Sequence, residues 1–181
     1  MLMGELSMIA AAADEQTSEY LAKQASKGNE ECFTALCDSM KTKLFRTAKG
    51  ILGNETLALD AVSEAVLRAF KGIKRLRQPE YAETWFIRIL LNVANDMRRK
   101  QKREIIMEAV PESSHYDKHP ELEFNQMIGS LQPELREIIS LKYYSGYTLN
   151  EISAILNVPE GTVKSRLNRA LNLLRLEVLN E

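Results

Sequence analysis

Hydrophobic positions along this chain recur at intervals of three and four residues, and no segment shows the two-residue alternation of a strand. Phe33, Leu36, Met40, Leu44 and Ala48 form one helical stripe, which Gly50 to Asn54 (GILGN) punctuates. A second helix is predicted over 55–76, with Leu57, Ala61, Ala65, Ala69 and Ile73 inward. Pro79 closes it, because proline disfavours helix in the residue before it. A third is predicted over 82–102, with Trp85, Ile89, Val93 and Met97 inward, so that Trp85 reads as core rather than as a stacking platform, which is the competing role. Periodicity fails from 104 to about 120, where the chain is acidic, polar and bounded by Pro111 and Pro120. Helices resume near 121–131, 133–145, 149–156 and 159–179. The expected fold is all-α: a tail (1–17), a helical domain (18–103), a flexible linker (104–120) and a second helical domain (121–181).

The most specific local pattern is Tyr147 to Ala170, YTLNEISAILNVPEGTVKSRLNRA. Thr148 and Glu151 form a T-x-x-E capping box that starts a helix at Leu149. Leu149, Ile152, Ile155 and Leu156 share its apolar face. Asn157-Val158 breaks the run, and Pro159 suits the first position of a following helix, where its missing N–H costs nothing. Val163, Leu167, Ala170 and Leu174 then face inward, which turns Lys164, Ser165, Asn168 and Arg169 outward. That is a helix-turn-helix whose second helix can present side chains to base edges in a major groove. Gly146 sits where the preceding helix needs a residue free to adopt positive φ.

Charge strengthens this reading. The net charge is only -1, yet residues 68–103 hold 11 basic and 3 acidic side chains, while 104–139 hold 2 and 8. A basic segment of that density is an electrostatic footprint for a polyanion. No carboxylate lies between Glu160 and Glu177 to repel phosphate.

Other chemistry is thinly supported. His115 and His119 flank Asp117 but lack a third or fourth ligand group, so no metal is expected. Cys32 and Cys37 fall about 140° apart around a helix and read as small core residues. There is no nucleophile–base set and no phosphate-binding glycine loop, so neither an enzyme nor a cofactor is expected. No apolar run is long enough to span a bilayer. The start, MLMGELSMIAAAA, lacks a basic secretory n-region, so the chain reads as cytoplasmic without direct membrane insertion.

Both halves together resemble a small bacterial sigma-70 family sigma factor of the extracytoplasmic-function type. The D-x-V-x-E signature of domain 2 stands here as Asp60-Ala61-Val62-Ser63-Glu64. The W-(L/F)-x-R-I-x-x-N-x-x-x-D pattern follows as Trp85, Phe86, Arg88, Ile89, Asn92 and Asp96, then Arg98-Arg99. The domain 4 motif is VPEGTVKSR, Val158 to Arg166. Ser63 stands where relatives often carry Gln, and Leu59 where they often carry a second acidic residue.

The resemblance implies a protein that binds core RNA polymerase, through the β′ clamp and the β flap, and directs it to promoters. It places Asp60, Glu64, Leu67 and Arg68 on polymerase, with core packing as the competing role for Leu67. The loop 78–83 and Arg88, Asn92, Asp96, Arg98, Arg99, Lys100 and Arg103 fall on the single-stranded minus-ten element. Lys164, Ser165, Asn168 and Arg169 fall on bases of the minus-35 duplex, and Thr162 and Arg166 on its phosphates. It further implies an anti-sigma partner and a stress or envelope response. The rival is a stand-alone helix-turn-helix regulator, which leaves the first half's motifs unexplained.

Overall fold

The computed structural model describes residues 18–108 and 127–179. Helix α1 covers 18–26, α2 Glu30–Leu52 and α3 Glu55–Gly72, followed by 3-10 turns at Ile73–Arg75 and Pro79–Tyr81. Helix α4 is Ala82–Glu108, and α5 a single turn at 127–130. Helix α6, Pro133–Ile139, runs into a π turn at Ser140–Tyr144; α7 is Leu149–Leu156 and α8 is Glu160–Leu179. No strand occurs among the described residues. The tail 1–17 and residues 109–126, with His115 and His119, lie outside them.

Helix α2 starts at Asn29, whose side chain accepts from the Cys32 N–H, and stops at Gly53 in the left-handed region, φ 66. It therefore passes through Gly50, and the break expected over Gly50 to Asn54 falls at Gly53 and Asn54. Gly50 serves packing instead. A Cβ there would meet Tyr144 Cγ at 2.8 Å and Ser140 Oγ at 2.9 Å. The helix accepts a glycine, about 1 kcal/mol worse than alanine, so that the π turn can lie against it.

Asn54 caps α3 by accepting from the Leu57 N–H. The buried stripe is Ala58, Ala61, Ala65 and Ala69, with Leu57 only half-buried. Small side chains let α3 pack closely against α2 and α4. The helix ends at Gly72, earlier than the predicted Leu76, and tightens into the 3-10 turn. A Cβ at Gly72 would stand 3.2 Å from the Trp85 ring.

The inward face of α4 is rotated from the predicted one. Phe86, Ile87, Leu90, Val93 and Ala94 are buried, whereas Trp85, Ile89 and Met97 are half-buried. The cause is that α4 packs against α2 and α3 on one side and α7 on the other. It also runs through 104–108, which the loss of periodicity had assigned to the linker.

The two halves pack together. Ile138, Leu141, Tyr147, Ile152, Ile155 and Val163 share one buried cluster with the first half. A smaller cluster holds α5, α6 and α8 together through Ile128, Leu131, Leu135, Ile139, Ala170 and Leu174. Cys32 and Cys37 are free and half-buried against the larger core. Burial, then the neighbouring Asp38 carboxylate, pushes the Cys37 thiol up to about 11.

Candidate nucleic-acid interface

The helix-turn-helix is built from local hydrogen bonds. Thr148 and Glu151 close a capping box at the start of α7. Asn157 takes the left-handed conformation, φ 54, that turns the chain out of α7, and Ser153 Oγ donates to Val158 O at 2.6 Å. Gly146, φ 78, makes the turn before it. On α8, Val163, Ala170 and Leu174 are buried and Leu167 half-buried. Lys164, Ser165, Asn168 and Arg169 are exposed together, with Thr162 and Arg166 half-buried beside them. Lys164 pairs with Glu160 at 3.6 Å, an exposed contact that holds the lysine only weakly.

On α4 the basic residues divide. Asn92, Arg99, Lys100 and Arg103 are exposed, and Asp96 accepts from Arg99 and lies 3.9 Å from Arg68. Arg88 and Arg98 are committed to the second half instead. Arg88 donates from Nε to Ile155 O at 2.7 Å and from Nη2 to Ala154 O at 2.6 Å. A cation suits that position, because the last carbonyls of α7 carry the negative end of its dipole. Arg98 is half-buried and donates to Gly129 O at 2.6 Å. Arg136 shares the same carbonyl at 3.2 Å. Burial, then the adjacent Arg98 charge, brings the Arg136 guanidinium down to about 10, with Glu137 opposing.

Where the loop meets α4, Arg75, Leu76, Arg77, Gln78, Tyr81, Thr84, Trp85 and Arg88 line an open cleft of about 240 Å³. Trp85 is half-packed on the core, as expected, and is also a wall of this cleft. Tyr81, 54% exposed, and Arg75 and Arg77 were not singled out from sequence. Their signal was present in RLRQPEY, where cationic and aromatic residues interleave as in single-strand binding grooves.

On α3, Asp60 and Arg68 are exposed and Glu64 is half-buried, with Arg68 Nε 2.7 Å from Glu64 Oε1. Leu67 is 46% exposed, which rules out core packing as its main role. Leu59 at 53% and Phe70 at 45% continue the apolar strip. Leu171, Leu173 and Leu176 are similarly exposed on α8. Among the described residues no cluster of three or more His, Cys, Asp or Glu could hold a metal ion, and no helix is long and apolar enough to cross a membrane.

Comparison with known proteins agrees with this geometry. Residues 36–104 match Sigma-70 region 2 and residues 121–174 match Sigma-70, region 4. The ECF RNA polymerase sigma factor SigW of Bacillus subtilis (strain 168) is 30% identical over 175 residues, covering 86% of this chain and 94% of that protein. The structure of CnrH in complex with the cytosolic domain of CnrY superposes with a TM-score of 0.71 at 23% identity, over 91% of this chain and 99% of that one. RpoE from Bartonella quintana, solved with the anti-sigma factor NepR, superposes with a TM-score of 0.59 at 24% identity, over 79% and 95%. These two share the fold. The chain belongs to the sigma-70 family of RNA polymerase sigma factors, in its extracytoplasmic-function branch. It is a promoter-directing subunit and not a stand-alone regulator, since its first half matches region 2 and its second half region 4.

Proposed function

We propose that this sigma factor divides its work among three surfaces, with 18–103 and 121–181 as the working domains. The strip on α3, with Asp60, Glu64, Leu67 and Arg68 joined by Leu59 and Phe70, docks on the β′ clamp of core polymerase. Exposed leucines flanked by carboxylates suit a partner helix better than they suit DNA. The cleft at the head of α4 takes the melted minus-ten strand. Tyr81 and Trp85 offer ring faces to an unstacked base, Arg75 and Arg77 neutralise phosphate, and Asn92, Asp96, Arg99, Lys100 and Arg103 extend the track along α4. The outer face of α8 reads the minus-35 duplex through Lys164, Ser165, Asn168 and Arg169, with Thr162 and Arg166 on its phosphates.

The observation that carries this reading is the exposure of those four α8 side chains over a buried Val163–Ala170–Leu174 stripe. Each bidentate base contact contributes about 1–3 kcal/mol of discrimination. The leucines at the end of α8 are the proposed dock for the β flap and, in competition with it, for an anti-sigma protein that holds the factor inactive until a stress or envelope signal arrives. That partner is supported by the anti-sigma factor bound to the Bartonella quintana neighbour. The protein would work in the cytoplasm, beside polymerase and DNA.

Run-off transcription with core polymerase and a library of genomic promoters tests the assignment. Discrete transcripts should require the protein. They should vanish with Lys164→Ala plus Arg169→Ala, and fall with Tyr81→Ala while the protein's affinity for core polymerase is unchanged. Transcripts that survive the double variant undiminished would remove α8 from promoter reading.

A further inference from the structure

One carboxylate stands in the middle of the basic track. Between Glu83 and Glu104 the chain carries six cationic side chains and a single acid, Asp96. Asn92, Asp96, Arg99, Lys100 and Arg103 recur at three and four residues, so Asp96 shares the outer face of α4 with the groups assigned to phosphate. A face built only to hold a polyanion gains nothing from that charge. Asp96 is engaged on both oxygens. Its Oδ1 accepts from Arg99 Nη2, and its Oδ2 lies 3.9 Å from Arg68 Nη1 on α3. Arg68 is held in turn by Glu64, with Nε 2.7 Å from Oε1. The Arg99 cation therefore already has an anion before any strand arrives.

These ion pairs are exposed and hence weak, which makes them exchangeable. A strand that lays a phosphate on Arg99 displaces the tethered carboxylate. A carboxylate can only accept, so it then needs a new donor. An unpaired base supplies one, because each of the four bases carries an N–H on its Watson–Crick edge. Pairing occupies that edge in duplex DNA, and an abasic backbone lacks it. A bare polyphosphate would leave Asp96 facing like charge with nothing in return. Asp96 lies three turns of α4, about 17 Å, from Trp85, so a strand with a base in the cleft passes over it within a few nucleotides.

We infer that Asp96 is the exchangeable counter-ion of Arg99 and sets the selectivity of the track. It yields Arg99 to a phosphate and takes an N–H from an unpaired base, so strands with free bases are accepted and bare or paired backbone is disfavoured. Arg68, facing the second oxygen from α3, is a positioning residue that keeps the carboxylate over the strand path. The inference rests on the minus-ten assignment of the α4 face and names what that face rejects.

Fluorescence anisotropy on the full chain tests the exchange, with two labelled single strands of equal length, one of degenerate sequence and one abasic throughout. Wild type should prefer the strand with bases. Asp96→Ala should bind the abasic strand about threefold more tightly, the upper end for an exposed ion pair. Its log–log salt slope on that strand should steepen by about 0.7, the signature of one added phosphate contact. Affinity for the strand with bases should stay within about twofold, because the freed cation is offset by the lost acceptor, and the preference should fall accordingly. In an Arg99→Gln background the same substitution should leave abasic binding and its slope unchanged. Far-ultraviolet circular dichroism should show each variant folded, since alanine favours helix at an exposed position.

An equal gain on both strands, or a gain that persists without Arg99, would reduce Asp96 to ordinary charge repulsion and overturn the exchange. Tyr81→Ala separates that failure from failure of the reading beneath it. If Tyr81→Ala weakens only the strand with bases while Asp96→Ala changes neither, the minus-ten assignment stands and the exchange falls. If wild type shows no preference and Tyr81→Ala alters neither strand, the assignment fails and the inference goes with it.

Discussion

Tyr147 and Glu83, 64 residues apart in the chain, meet in a 2.7 Å phenol-to-carboxylate hydrogen bond that ties the head of the helix-turn-helix to the first turn of α4. Burial, followed by the charge and hydrogen bond of Glu83, raises the Tyr147 phenol well above the usual tyrosine range. The neutral phenol is therefore the form the fold holds. An unfolded tyrosine ionises near pH ~10, so this stabilisation is complete below that pH and is lost as pH rises above it. Urea midpoints measured between pH 8 and 11 should fall more steeply for wild type than for Tyr147→Phe. Parallel profiles would mean that Tyr147 does not couple the fold to alkaline pH.

Leu67 should separate partner binding from stability. Being nearly half exposed, it can be changed to Asp at a cost within about ±0.5 kcal/mol of folding stability, the usual range for surface substitutions away from packed features. Affinity for core polymerase should nonetheless fall at least tenfold, because a new carboxylate would be buried in the apolar contact without a partner. Calorimetric unfolding and competition binding to core polymerase read the two effects independently. A large loss of thermal stability would return Leu67 to the core.

Much of this architecture was legible beforehand, for physical reasons that differ by element. The capping box at Thr148 and Glu151, the break at Asn157 and the positive-φ glycine at Gly146 act within one or two helical turns, so sequence alone located them, though not the left-handed conformation of Asn157. The α4 stripe was misplaced by about one position because α4 contacts elements on two sides. A single-face periodicity cannot see a second neighbour supplied by α7, far along the chain. The packing role of Gly50 was hidden for the same reason. Its use is set by Ser140 and Tyr144, residues beyond the reach of any local pattern. Arg88 and Arg98 carried the right charge for DNA, but nothing nearby in sequence announced the carbonyls of Ala154, Ile155 and Gly129 that hold them here.

The Ser140 hydroxyl is buried against Gly50 without a hydrogen-bond partner. A buried polar group left unmatched costs about 1–3 kcal/mol. Ser140→Ala removes that cost and keeps the Cβ that packs on α2. The variant should melt several degrees higher than wild type in a thermal scan. A lower melting temperature would mean that the hydroxyl has a partner after all.

Glu137 sits in the seam between the halves, accepting from Asn95 Nδ2 at 2.6 Å. Burial raises its carboxyl above the ordinary range, with Glu134 adding to the shift, while the Asn95 hydrogen bond, Arg136 and Arg166 oppose it. With the folded pKa above the unfolded one, the native state binds the extra proton between the two values. Stability from this group is therefore full below the unfolded pKa and falls as pH rises through the folded one. At neutral pH the ionised side chain is a net burden on the seam. Glu137→Gln keeps an acceptor for Asn95 and removes the charge. Its urea midpoint should exceed that of wild type at pH 7, and the difference should shrink as pH is lowered toward about 4, near the ordinary glutamate value. A variant less stable than wild type at pH 7 would show that attraction to Arg136 and Arg166 outweighs desolvation, and that the charge helps to hold the two halves together.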